Sequence, residues 1–244
     1  KWSLQSSLPS DHPYKNSPIP PLLSPPTSLP VAASGFWNPT QYSGCSLWLD
    51  ASDRATLTFS GVNVTQWRDK SGSNNHASNV GTITNAGTIG KLAAMVYSGA
   101  ASTYFTGTVT NSGATMTSFG MFVMNSSSYT SARLLSLAKP ATFDYNNVLY
   151  VAALSRLSGN FVSYRASGAK GSIAATFGTP TLNATVFDGT NNTYYQNGTA
   201  GTTVASSGNF GYTNYEVGGS FGEESLVPYN GLVGEIIHYT TALI

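Results

Sequence analysis

Ten carboxylates, three histidines and one cysteine are the groups in this 244-residue sequence best suited to proton transfer, nucleophilic attack or metal binding. Glycoside chemistry needs two carboxylates facing one substrate, roughly 5–9 Å apart, and alternate positions of one strand supply such a pair because they share a face. No E-x-D-x-x-E pattern occurs. Glu223 and Glu224 are adjacent in a Gly/Ser turn, so on a strand they would face opposite ways. Glu235 lies well inside a strand-like run, on the face shared by Val233, Ile237 and Tyr239, and reads as a buried, hydrogen-bonded structural residue. His12, His76 and His238 are far apart and lack the spacing of a zinc site. Neither a G-x-S-x-G elbow nor a phosphate-binding loop is present. The residues therefore predict a chain that is not an enzyme.

Sugar binding asks for less: aromatic rings that stack on C–H faces, with amides and carboxylates beside them. Tyr194, Tyr195 and Tyr229 sit in or next to turns and are the candidates for such a role, as are Tyr129, Tyr145, Tyr212 and Tyr215. The same tyrosines also suit a pleated sheet, where the ring packs well, so the two readings stand side by side. Cys45 has no second thiol or base nearby and reads as a small buried apolar residue. Sequons occur at Asn63, Asn125, Asn183, Asn191 and Asn197 and matter only on a secretory route.

The elements that must position these groups follow from composition. Charged residues make up 9% of the chain, far below the ~25% of ordinary domains, and glycine, serine, threonine and asparagine take their place. These are weak helix formers that suit turns and half-exposed strands, so the composition predicts an all-β fold. Net charge is +1, without a basic run able to neutralise phosphates, which argues against nucleic acid. No apolar stretch is long enough to span a membrane. A start at Lys1, not at a methionine, is compatible with a removed leader.

Residues 1–41 hold nine of the twelve prolines and read as an extended arm, because proline fixes φ and removes a donor. Trp2, Tyr14, Leu22, Leu23 and Trp37 make this arm more apolar than a solvated linker and fit it for docking on a partner subunit. Residues 42–244 alternate short apolar runs with Gly/Asn/Ser clusters. Strands are predicted at Ser46–Asp50, Asn63–Trp67, Leu92–Tyr97, Thr117–Met124, Ala132–Ala138 and Val148–Leu154. Further strands fall at Phe161–Arg165, Leu182–Phe187, Thr193–Gln196, Tyr215–Gly218 and Leu232–Tyr239, and Asn197-Gly198 marks a hairpin to Thr202–Ala205.

Three blocks carry a resemblance. Leu47-Trp48-Leu49-Asp50-Ala51-Ser52-Asp53 leads to Trp67-Arg68-Asp69-Lys70-Ser71-Gly72 and Asn74-Asn75-His76; Phe187-Asp188-Gly189 leads to Tyr195-Gln196-Asn197-Gly198; Gly231 to Tyr239 precedes Ala242-Leu243. In this order they resemble the laminin-G-like, concanavalin A-like jelly-roll superfamily over residues 46–244. The resemblance implies a two-sheet antiparallel jelly-roll sandwich. It also implies a calcium ion held by Asp50, Asp53 and Asp69, against which stands a turn built by Asp69 on nearby amides. The L-W-L-D-A-S-D form is similar to versions in virion proteins of large DNA viruses.

The leading expectation is therefore a non-enzymatic structural component of a virion or surface assembly, with residues 1–41 docking on neighbouring proteins. The alternative is a carbohydrate-binding host-attachment module, and a glycoside hydrolase is the remote one. Location in a virion or at an extracellular surface goes with either of the first two.

Overall fold

Small polar residues alternate with apolar ones along most of this chain, and the result is strand after strand joined by glycine and asparagine turns. The computed structural model describes residues 38–126, 131–139, 151–165, 168, 170–221 and 228–243. The arm residues Trp2, Tyr14, Leu22, Leu23 and Trp37, with Tyr129, Tyr145, Glu223 and Glu224, lie outside the described residues. Among those described, the strands in chain order are β1 Cys45–Asp50, β2 Leu57–Ser60, β3 Asn63–Trp67, β4 Ala77–Val80, β5 Thr84–Ile89 and β6 Leu92–Ser98. They continue as β7 Tyr104–Asn111, β8 Thr115–Met124, β9 Arg133–Ala138, β10 Val151–Leu157, β11 Asn160–Arg165 and β12 Lys170–Ala174. The last are β13 Thr181–Asp188, β14 Asn191–Gln196, β15 Thr199–Ala205, β16 Tyr212–Val217 and β17 Asn230–Tyr239. Two short 3-10 turns, Pro39–Gln41 and Arg54–Thr56, are the helical pieces among the described residues.

All the strand pairs are antiparallel and form two layers. In the first, β17 is flanked on one side by β1 and β6 and on the other by β8, followed by β13, β14 and β15. In the second, the order is β4, β7, β16, β9, β10, β11, β12. The ladder passes between layers at β12–β15 through Ser172 and Thr202, and returns through β3 and β5 to β6. The pairing thus closes on itself. This is the predicted all-β antiparallel jelly-roll sandwich.

Aromatic rings fill the space between the layers. Phe122 of β8 meets Phe161 of β11 edge-on at 5.4 Å, and Trp67 meets Phe105 at 5.5 Å. Polar groups inside are paired across the gap. The Tyr97 hydroxyl donates to the Val217 carbonyl (3.2 Å), and the His238 imidazole lies between Ser118 Oγ and Tyr212 Oη, each at 2.8 Å.

The Asn197-Gly198 hairpin is formed as the sequence predicts. Both residues take positive φ, 50° and 80°, as a two-residue type I′ turn requires. At the preceding turn, Asp188 accepts the amides of Thr190 (2.8 Å) and Asn191 (2.7 Å). Those bonds, the Thr190 ones first, hold its pKa down to about 2.

Strand β13 runs against ordinary sandwich patterning. Asn183, Thr185 and Phe187 face inward and are fully buried, while Leu182, Ala184 and Val186 face out. The inward polar groups are bonded, apart from the Asn183 Oδ1. Thr185 Oγ1 donates to Ser163 Oγ (2.7 Å), Ser163 Oγ to Asn192 Oδ1 (2.7 Å), and Asn192 Nδ2 back to the Ser163 carbonyl (2.9 Å). Asn183 Nδ2 donates to the Tyr194 hydroxyl at 3.1 Å.

Because the knot is buried, removing one hydroxyl from it leaves partners unpaired without changing volume. Thr185→Val should cost about 1–3 kcal/mol in urea denaturation with an unchanged slope. An unchanged midpoint would show that the knot adds no stability.

Candidate functional site

The opening turns settle where the three predicted calcium ligands go. Asp69 Oδ1 accepts the amides of Trp48 and Ser71, both at 2.8 Å, and Oδ2 accepts Ser71 Oγ (2.7 Å) and the Asn75 amide (3.0 Å). This nearly buried carboxylate therefore builds the turn, as the competing sequence reading has it. Asp50 and Asp53 instead share the Lys70 ammonium, each carboxylate oxygen 2.9 Å from Nζ, and that ammonium lies 4.3 Å from the centre of the Trp48 ring.

Burial alone would raise the Asp50 pKa, but hydrogen bonds from Ser52 and Lys70 outweigh it and bring the pKa below the usual carboxylate value. Burial likewise works against the Lys70 charge, and bonds to Asp53 and Asp50 overcome it. The positive charge between Asp50 and Asp53 is thus a lysine, and Asp69 is committed to amides. No group of three or more His, Cys, Asp or Glu side chains able to hold a metal occurs among the described residues. The residues do not fit the expected calcium ion.

Glu235 accepts the Trp48 indole N–H at 2.7 Å and is partly buried, which raises its pKa. One detail differs from the strand reading. The pairing of β17 with β8 slips between Val233 and Glu235, so Val233 faces the core while Glu235, Ile237 and Tyr239 share the other face.

The three predicted sugar-binding tyrosines part company. Tyr194 is 0% exposed, and Tyr229 is 1% exposed with its hydroxyl donating to the Val123 carbonyl at 2.8 Å. Burial pushes both phenols far up. Neither ring can present a face to a sugar, so both are corrected to core residues, as are Tyr212 and Tyr215. Tyr195 is one step along β14 from Tyr194 and therefore points the other way, out of the sandwich.

Tyr195 opens onto a depression of about 370 Å³ on the outer face of the first layer. Its geometry follows from the register. Ala184 of β13 pairs with Phe119 of β8 on one side and with Tyr195 of β14 on the other. The two rings therefore stand two strand spacings apart, about 10 Å, across a methyl group. Leu182, itself 44% exposed, and Val186 flank Ala184 along the same strand, and Leu243 and Gly198 complete the rim.

Two tethers fix this slot. Asn197 Oδ1 accepts the Leu182 amide (2.9 Å) and the Asn197 amide donates to the Leu182 carbonyl (2.7 Å), tying the hairpin to the start of β13. Thr117 Oγ1 accepts the Leu243 amide (2.9 Å) and holds the C-terminal segment at the rim. Among the described residues that line it none is charged, and the Tyr195 hydroxyl is the sole side-chain polar group. Phe119, Leu182, Ala184 and Val186 did not stand out as site residues in the sequence. Their signal was the apolar set of β13 falling on the same face as Tyr195.

No protein-family model matches the chain, and no curated protein matches it in sequence. Solved structures do. Domain 4 of AbnA, a GH43 extracellular arabinanase from Geobacillus stearothermophilus, solved with arabinotriose, aligns with TM-score 0.60 at 17% identity over 82% of this chain and 94% of that one. The binding domain of botulinum neurotoxin serotype D/C aligns with TM-score 0.57 at 11% identity, over 85% of this chain and 50% of that one. Trypanosoma rangeli sialidase, solved with sialic acid, gives 0.53 at 10%, over 83% of this chain and 32% of that one. The likeness is one of fold. It bears out the jelly-roll sandwich that the three sequence blocks suggest. No helix among the described residues is long and apolar enough to cross a membrane.

Two expectations follow from the charges. If Lys70 is the cation of the opening turns, chelators and added calcium leave the melting temperature unchanged, while Lys70→Met lowers stability by about 1 kcal/mol. A calcium-dependent rise in melting temperature would contradict that assignment.

His238 gives the pH expectation. Full burial lowers its pKa from 6.5 to about 3. Its neutral form is favoured in the fold and its charged form in the unfolded chain, so the stability it supports is complete above pH 6.5 and is lost as pH falls toward about 3. Denaturation midpoints should decline already between pH 6.5 and 4.5, where most carboxylates are still ionised. His238→Leu should be less stable throughout and flatter across that window.

Proposed function

We propose that this chain is a non-catalytic carbohydrate-binding module, acting in a secreted or surface-displayed setting, with the slot between Phe119 and Tyr195 as its sugar site. The observation that carries the reading is the inverted face of β13. An outward row of Leu182, Ala184 and Val186, with Leu182 exposed and Ala184 at the floor, lies between two partly buried rings that can stack on the C–H faces of a sugar. The company of the fold supports it, since the arabinanase domain was solved with arabinotriose and the sialidase with sialic acid.

The non-catalytic part rests on how the described carboxylates are used. Asp69 and Asp188 build turns, Asp50 and Asp53 hold Lys70, Glu235 accepts from Trp48, and Glu216 is buried on β16 of the second layer, so none of these is aimed into the slot. The alternative drawn from the sequence, a carbohydrate-binding module, thus has more support than a structural virion component. The latter leaned on residues 1–41, of which only residues 38–41 are described.

Screening the full chain on a glycan array tests the proposal. Specific binding is expected, and Tyr195→Ala should weaken it about tenfold or more while leaving the melting temperature close to that of the parent. A flat array on folded protein, or binding indifferent to Tyr195, contradicts it.

A further inference from the structure

The slot is selective in a way its walls determine. Phe119 and Tyr195 stand about two strand spacings apart, roughly 10 Å, which leaves room for one sugar ring standing edge-on between them. The edge that enters meets Ala184 at the floor and Leu182 and Val186 on either side. None of these side chains donates or accepts a hydrogen bond, and the carbonyls and amides of β13 are paired with β8 and β14. A hydroxyl carried in on that edge would be stripped of water with nothing to replace it. The opposite edge remains in solvent, where hydroxyls keep their hydration.

Resting on the carbohydrate-binding reading above, we infer that the ligand is a neutral glycan ending in a 6-deoxyhexose, whose methyl group occupies the Ala184 floor between Phe119 and Tyr195. The methyl group suits an aliphatic floor, and the uncharged lining suits a sugar without a carboxylate or sulfate. An acetamido group also offers a methyl, but it would bring an amide N–H and C=O into a place with no partners. The walls therefore favour the deoxy sugar over the N-acetyl one.

Matched pairs of sugars isolate this claim. Calorimetric titration of the full chain with the methyl glycosides of L-fucose and L-galactose, and of L-rhamnose and L-mannose, compares ligands that differ only in the 6-hydroxyl. The deoxy member of at least one pair should bind on the order of tenfold to a hundredfold more tightly. Leu182→Gln changes an exposed side chain and places an amide beside the floor, so it should narrow that ratio without unfolding the protein. Ala184→Leu should fill the slot and abolish binding of both members.

Equal affinities within both pairs, tighter binding of the hydroxylated sugar, or a preference for methyl N-acetylglucosaminide overturns the inference alone, provided that binding still depends on Tyr195. If no sugar binds in a Tyr195-dependent manner, the carbohydrate-binding reading fails with it. A Tyr195-dependent complex with an aliphatic carboxylic acid, in place of any sugar, would likewise overturn both.

Discussion

A buried polar side chain must be bonded, and the knot of Ser163, Thr185 and Asn192 is where this molecule meets that requirement most tightly. It links β11 of one layer to β13 and β14 of the other. It also decides which way β13 faces. A slip of one residue in the β8–β13 register would turn Leu182, Ala184 and Val186 into the core and push Asn183 and Thr185 into water. On hydrophobic burial alone that slipped register looks attractive, but it would take the Thr185 hydroxyl away from Ser163 and Asn192 and the Asn183 amide away from Tyr194. The satisfied polar knot therefore stabilises an arrangement that leaves apolar surface outside, and the slot is the consequence.

The rest of the sandwich keeps that arrangement rigid with few charges. The pairing ladder runs through both layers and returns to its start, so the slot strands β8, β13 and β14 are paired on both sides. The charged residues that are described work locally. Lys70 neutralises Asp50 and Asp53 at the opening turn, and Arg165 reaches the carbonyls of Ser207 and Gly208 while lying over Phe210. None lies on the slot. The low charge of the chain and the neutral lining of the depression are two aspects of one construction, in which small polar side chains do the joining elsewhere left to ion pairs.

Much of the fold was legible because strands of this kind announce their ends. Asn63–Trp67 has the bounds the sequence suggests, and the Asn197-Gly198 turn forms the expected hairpin. Strands β2, β4, β5, β7 and β12 were not among those predicted. Ala77–Val80, Thr84–Ile89 and Lys170–Ala174 carry little apolar alternation and are held by neighbouring ladders. Leu57–Ser60 and Tyr104–Asn111 do alternate, through Leu57 and Phe59 and through Phe105 and Val109, and were passed over. The site was harder to read. Two adjacent tyrosines on one strand must face opposite ways, but nothing local says which faces in; Tyr194 does, and Tyr195 does not. The opening acidic cluster suggested a metal, yet the neighbouring Lys70 already supplies the cation, a pairing that depends on how the loop folds back over Trp48. The decisive clue, an apolar set alternating with Asn183 and Thr185, has the same period whichever face is buried, and only the partners on β11 and β14 resolve it.

The central claim is that the outward face of β13 and its two flanking rings form the ligand surface. Following backbone amide shifts by NMR while titrating the best-binding glycan tests it most directly. The account predicts shifts gathered at Phe119, residues 182–186 and residues 195–198, with the second layer at β7, β16 and β9 unmoved. Shifts gathered on that second layer, or around the Asp50–Lys70 turn, would contradict it.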